Sequence, residues 1–288
     1  MSGLEFGGLS GRSRLLDRPR PAGAPLVIAI HGGTYTSAYF DVTGYSLLDR
    51  AAANEIPIIA VDRPGYADSP DLPPAEGTIR GAAGHITREL HQIWSDHGKG
   101  APGIFLIGHS IGGAMAASIA SQPDGLPLLG LAVSGVGLRT PGAHRPLWEA
   151  LPDTPKVEMP TPVKDQLMFG PPGSFDAAMP AASHVANTTA PKAELLDIVG
   201  TWHDTVRATL GAITIPVHYR QAELDHLWIV NQGEVDGFAK ALTKSPLVDA
   251  ALMRGAGHCM DFHTVGAAFQ LQQLGFALQC VSEQRLNG

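Results

Sequence analysis

Five short apolar runs constrain this chain more than anything else in it: Leu26-Val-Ile-Ala-Ile30, Ile56-Pro-Ile-Ile-Ala-Val61, Gly103-Ile-Phe-Leu-Ile107, Leu128-Leu-Gly-Leu-Ala-Val133 and Ile215-Pro-Val-His-Tyr219. Each is continuous and does not alternate apolar with polar residues, the pattern of strands covered on both faces within a parallel sheet. They are too short, and too tightly bounded by Gly and Pro, for buried helices. Between them lie stretches with helical spacing. Asp41 to Asn54 sets Tyr45, Leu48 and Ala52 on one face, and Thr78 to His97 does the same with Ile79, Ile86, Leu90 and Ile93. Ser110 to Ser121 is small and apolar, suited to close packing on a sheet, and Phe262 to Val281 reads as a closing helix. Strands alternating with helices predict an α/β fold, a mostly parallel sheet with helices on both faces.

The rhythm breaks between Leu138 and about Gly211, where the chain is rich in Pro and has no buried-strand run. Two helical pieces lie inside this stretch, Thr161 to Phe169 and Lys192 to Leu210. Segments of this length are uncommon unless they serve a site. The expectation is a helical cap, residues 139–211, inserted between two parts of a core domain, 1–138 and 212–288.

Composition narrows the class of function. With 44% hydrophobic and 16% charged residues the chain can bury a large core. A net charge of −7 with no run of Lys or Arg speaks against nucleic acid as a partner. The two cysteines, Cys259 and Cys280, make no disulfide framework, and no metal-ligand spacing occurs. Met1 to Pro21 has no apolar core of a secretory signal, and the stretch Gly125 to Leu138, broken by Pro127, falls short of the roughly 20 residues of a membrane span. These features lead to the expectation of a cytoplasmic protein acting on a small molecule, with no membrane partner and an oligomeric state the sequence leaves open.

The chemistry begins where the third run flows into Gly108-His109-Ser110-Ile111-Gly112-Gly113 and then a helix. GxSxG between a strand and a helix is the setting of a nucleophile elbow, in which a serine sits on a sharp, strained turn. Side chains two residues to either side of the serine are expected to collide with it, hence Gly108 and Gly112. Two further turns agree: His31-Gly32-Gly33-Thr34-Tyr35 after the first run, and Asp62-Arg63-Pro64-Gly65-Tyr66-Ala67-Asp68-Ser69 after the second. With an HG loop, a D-x-x-G-x-x-x-S loop and GxSxG in this order, the chain resembles the α/β-hydrolase superfamily from about Leu26 to Leu278.

That resemblance implies an oxyanion hole made by the backbone N–H groups of Ile111 and Gly33, with Thr34 as the neighbouring alternative to Gly33. It also implies a late-loop histidine, for which Gly255-Ala-Gly-His258 is well placed. His263 is the rival, expected inside the final helix. The acid falls after the fifth run in Ala222-Glu-Leu-Asp225, with Asp225 preferred to Glu223 even though Ala222 stands where a glycine is usual; Ser134-Gly135 offers no carboxylate. Gly32, Thr34, Tyr35, His109, Met168 and Phe169 are further candidates for substrate contact. His109 itself is expected to pack behind the serine and not to act as base.

The implied activity is hydrolysis of an ester, thioester or related carbonyl bond through an acyl-enzyme, with no cofactor. Lactone or carbon–carbon bond hydrolysis and acyl transfer use the same residues. A ligand-binding protein or a lyase that reuses the pocket is the reading from another class. Gly98-Lys-Gly-Ala-Pro-Gly103 matches a dinucleotide-binding pattern but precedes a strand, so it is set aside.

Overall fold

In the computed structural model, which describes residues 4–287, the apolar runs become buried strands. In chain order the strands are β1 (Leu4–Phe6), β2 (Leu9–Arg14), β3 (Leu26–Ile30), β4 (Ile58–Val61), β5 (Ile104–His109), β6 (Leu128–Ser134), β7 (Lys156–Val157), β8 (Ala190–Pro191), β9 (Val217–Ala222) and β10 (Val248–Met253). Eight form one sheet, ordered β1-β2-β4-β3-β5-β6-β9-β10, and β7 pairs with β8 apart from it. The strands from β4 through β10 in that order are mutually parallel, whereas β2 runs antiparallel to both of its neighbours. The second and fifth runs pair only after Pro57 and Pro216. Proline has no N–H for the ladder, and here only the carbonyls contribute, Pro57 O to Val27 N and Pro216 O to Leu131 N.

The helices are α1 (Leu47–Ala53), α2 (Ile79–His97), α3 (Ile111–Ser121), α4 (His144–Glu149), α5 (Thr161–Met168), α6 (Met179–Ser183), α7 (Lys192–Val199), α8 (Trp202–Ala212), α9 (Gln232–Ala241) and α10 (Gly266–Asn287). Two apolar layers sandwich the sheet. Leu26, Ile28 and Ile30 of β3 pack with residues of α2, α3, α8 and α9, while Val27 and Ala29 pack with residues of α1 and α10. The α/β class expected from the sequence is the class observed.

The details differ where polarity or a glycine interferes. The β1–β2 hairpin was not foreseen, because its six-residue strand LSGRSR contains no apolar run; it turns through Gly7 at φ +61°. The helix expected over Lys192–Leu210 is two helices, parted at Gly200. The helix expected from Phe262 starts at Gly266, after a short 3-10 turn at Met260–Phe262, so His263 lies in the connecting loop and not in the helix. Between residues 139 and 211 the chain holds α4 to α7, most of α8 and the β7–β8 pair. Among the described residues no helix is long and apolar enough to cross a membrane.

Candidate active site

β5 ends at His109 and α3 begins at Ile111, leaving Ser110 alone on the turn with φ +56° and ψ −127°. Such a conformation costs a non-glycine residue roughly 1–3 kcal/mol and persists only when its surroundings fix it. The glycines fix it, though not by sparing the serine as expected. A Cβ on Gly112 would lie 2.2 Å from Ile30 O, and one on Gly108 would lie 2.6 Å from Gly112 O. They allow α3 to abut the ends of β3 and β5 directly. It is Gly32 that faces the serine, where a Cβ would come within 2.9 Å of Ser110 Cβ.

Ser110, His258 and Asp225 come together from three loops and are all buried. His258 Nε2 lies 2.9 Å from Ser110 Oγ and His258 Nδ1 lies 2.8 Å from Asp225 Oδ2. A carboxylate only accepts, so Nδ1 carries the proton and Nε2 is left to accept from the serine hydroxyl. The carboxylate is further held by Gln221 Nε2 at 3.0 Å and the Leu227 amide at 2.8 Å. Glu223, the alternative acid, points elsewhere and accepts from Gly255 N at 3.0 Å.

His263, the alternative base, does not reach the serine. Its Nδ1 lies 2.8 Å from Cys259 O, so Nδ1 donates and Nε2 accepts from the amides of Gly257 at 2.9 Å and Gly170 at 3.0 Å. This ring therefore shapes the loop that presents His258. Burial lowers its pKa, which keeps it neutral as that pattern requires.

Beside Ser110 the backbone of residues 32–34 is clamped on nearly every side. His31 Nε2 accepts from Arg63 N at 3.1 Å, so its Nδ1 donates to Gly32 O at 2.8 Å. Arg63 Nη2 donates to the same carbonyl at 3.0 Å. The wholly buried Arg63 guanidinium is paired with the Glu194 carboxylate of α7, Nη1 to Oε2 at 2.5 Å, and Tyr66 OH donates to that carboxylate as well. Thr34 O accepts from Lys164 Nζ at 2.6 Å and from Thr188 N at 3.0 Å. Lys164 of α5 is buried, and burial lowers its pKa to about 7.

A cavity of about 50 Å³ opens onto Ser110. Gly33, Thr34, Ile111 and Met168 line it, facing Leu195, Trp148 and Trp228, with Thr140 and His144 on the wall and, among the described residues, no Asp, Glu, Lys or Arg. Gly32, Tyr35, His109 and Phe169 are not part of this wall. The Tyr35 ring lies under Lys164 Nζ at 3.4 Å, His109 stacks on Tyr39 with its Nδ1 3.2 Å from Ser134 Oγ, and Phe169 packs against Phe175. Sequence reasoning missed Gln221, Arg63, Glu194 and Lys164 in this neighbourhood. A polar residue in a strand, an arginine in a loop and charged residues in helices read as solvated, and only the fold brings them to one place.

The family model described as "Alpha/beta hydrolase family" matches residues 27–268. No curated protein matches the chain in sequence. Among solved structures, a soluble variant of monoglyceride lipase from Saccharomyces cerevisiae aligns with a TM-score of 0.70 at 16% identity, covering 96% of this chain and 94% of that one. An esterase from Exiguobacterium antarcticum aligns at 0.69 and 15% identity, covering 93% and 95%. A thermophilic esterase from Thermogutta terrifontis aligns at 0.65 and 18%, covering 92% and 93%. At these identities the likeness is one of fold, and function has to be argued from the site. Since the family model spans most of its length, the chain belongs to the alpha/beta hydrolase family.

Proposed function

We propose that this protein is a serine hydrolase that cleaves an ester, thioester or related carbonyl bond of a small, uncharged substrate through an acyl-enzyme on Ser110. The observation that carries this reading is the unbroken relay Ser110–His258–Asp225, with hydrogen bonds of 2.9 and 2.8 Å, ending on a strained serine that borders a cavity. Ser110 Oγ attacks the carbonyl carbon while its proton passes to His258 Nε2. Asp225 holds the imidazole in the needed tautomer and stabilises the cation that forms. His258 then protonates the leaving group, and water, activated by the same ring, releases the acid.

The negative charge that develops on the carbonyl oxygen needs fixed donors, each worth about 3–4 kcal/mol in the transition state. Ile111 N–H is one, as the first residue of α3, where the helix leaves its amides unpaired. Gly33 N–H is the other. It is preferred to Thr34 N–H because the peptide carrying the Gly33 amide is fixed through Gly32 O. Residues 139–211 act as a cap, contributing Trp148, Met159, Met168, Leu195 and Ile198 to the cavity. Apart from His144 and three hydroxyl-bearing residues, that lining is apolar or glycine, so an uncharged acyl group is favoured over a charged one.

The test is a panel of p-nitrophenyl esters and acyl-thioesters with wild type, Ser110→Ala, His258→Ala and Asp225→Asn. Ser110→Ala and His258→Ala are expected to lose about 10⁶-fold in kcat. Turnover retained by Ser110→Ala would refute the reading.

A further inference from the structure

Thr34 is an odd residue for its position. It has φ +61°, although it is β-branched and follows two glycines that would adopt this conformation freely. Thr34 borders the same cavity as Ser110, Gly33 and Ile111, yet its side chain is buried and its hydroxyl has no hydrogen-bond partner among the described residues. A buried hydroxyl without a partner is disfavoured, and a strained one doubly so, unless a ligand completes it.

The conformation is held from across the site. Lys164 reaches down from α5 and donates to Thr34 O and to Asn187 Oδ1, both at 2.6 Å, with its ammonium over the Tyr35 ring. Residues next to Asn187 strengthen the same seam: Thr188 N donates to Thr34 O, Thr36 N donates to Ala186 O, and Tyr35 bridges to Asn187. Lys164 makes no salt bridge among the described residues, so its partners in this seam are the polar groups and the ring already named. The Thr34 carbonyl is taken by Lys164, whereas the hydroxyl is a group of this residue still without a partner and so available to a substrate.

We infer that the Thr34 hydroxyl is a further donor to the carbonyl oxygen of the substrate, and that Lys164 is the positioning residue that holds Thr34 to that task from the opposite side of the site. This rests on the serine-hydrolase reading above and adds two residues to it. As Ser110 attacks, the carbonyl oxygen gains charge and Thr34 Oγ1–H donates to it beside the Gly33 and Ile111 amides. No proton is transferred from Thr34. Lys164 touches neither substrate nor serine and acts only through the Thr34 peptide.

The experiment is a double-mutant cycle on a hydrolysed p-nitrophenyl ester, with kcat and KM measured separately and melting followed for every variant. Thr34→Val keeps the branched shape without the hydroxyl and is expected to lower kcat about 10²-fold with little change in KM. Thr34→Ser is expected to recover most of that loss. Lys164→Met is expected to lower kcat about tenfold while melting no lower than wild type, a displacement effect and not unfolding. The decisive result is coupling: in the double variant the Lys164→Met change should cost no more than about twofold beyond Thr34→Val. Losses that multiply, or a kcat for either single variant within about twofold of wild type, would overturn the inference while leaving the Ser110 chemistry intact. Wild-type turnover that survives Ser110→Ala would overturn both.

Discussion

At the scale of single residues, the acid and the buried lysine give the sharpest expectations. Asp225→Asn leaves the shape intact but favours the wrong imidazole tautomer, and should lower kcat about 10⁴-fold. Glu223→Gln, which disturbs only a hydrogen bond to Gly255 N, should remain near wild type in the same assay. Lys164 predicts a pH dependence of stability. Burial lowers its pKa from the usual 10.5 to about 7, so the folded protein sheds a proton that the unfolded chain keeps. The stability of the wild type therefore rises from pH 7 toward 10.5, whereas Lys164→Met lacks this contribution. Urea unfolding should find the Met variant at its greatest advantage at or below pH 7, with the gap shrinking by as much as ~5 kcal/mol toward pH 10.5. A gap that widened with pH would contradict the assignment. Ser110 stood out in the sequence through its GxSxG turn, and His258 and Asp225 were candidates through the resemblance; the structure places His258 within hydrogen-bond distance of the other two. Gln221 and Lys164 did not stand out: nothing local distinguishes a glutamine that orients a carboxylate, or a lysine that caps a remote carbonyl, from solvated residues.

At the scale of elements, the β5–α3 junction is packed backbone against backbone. A methyl group on Gly112 would sit 2.2 Å from Ile30 O and 2.3 Å from His31 O, so α3 would have to move away from β3. Gly112→Ala should destabilise by about 3 kcal/mol or more, and a chemical denaturation midpoint equal to wild type would contradict this packing. The parallel strands were readable because burial on both faces demands continuous apolar sequence. Edges and breaks were not. β2 lies near the sheet edge and needs no such run, so Arg12 and Arg14 hid it. β9 runs on through Arg220 and Gln221, whose side chains find partners in the exposed Asp249 and the buried Tyr219 and Asp225. Gly200 parts α7 from α8 within a stretch whose apolar spacing continues unbroken across it.

At the scale of the whole molecule, the Arg63–Glu194 pair joins the loop after β4 to α7 and, through Gly32 O, fixes the backbone beside the serine. Both groups are out of water, so removing one leaves a buried charge unmatched. Glu194→Gln should cost about 3–5 kcal/mol by thermal or urea unfolding, whereas Arg63→Met with Glu194→Met should be markedly less damaging to stability than the single change. Equal stability of Glu194→Gln and wild type would show that the pair is not closed in solution. The α/β architecture followed from rhythm alone, but this link could not be foreseen, since its partners lie 131 positions apart. The central claim, that the fold activates one serine, is tested most directly by intact-mass analysis after reaction with a fluorophosphonate, comparing wild type with Ser110→Ala. A single adduct is expected on wild type and none on the variant. A folded wild type that takes no adduct, or a variant that still takes one, would contradict it.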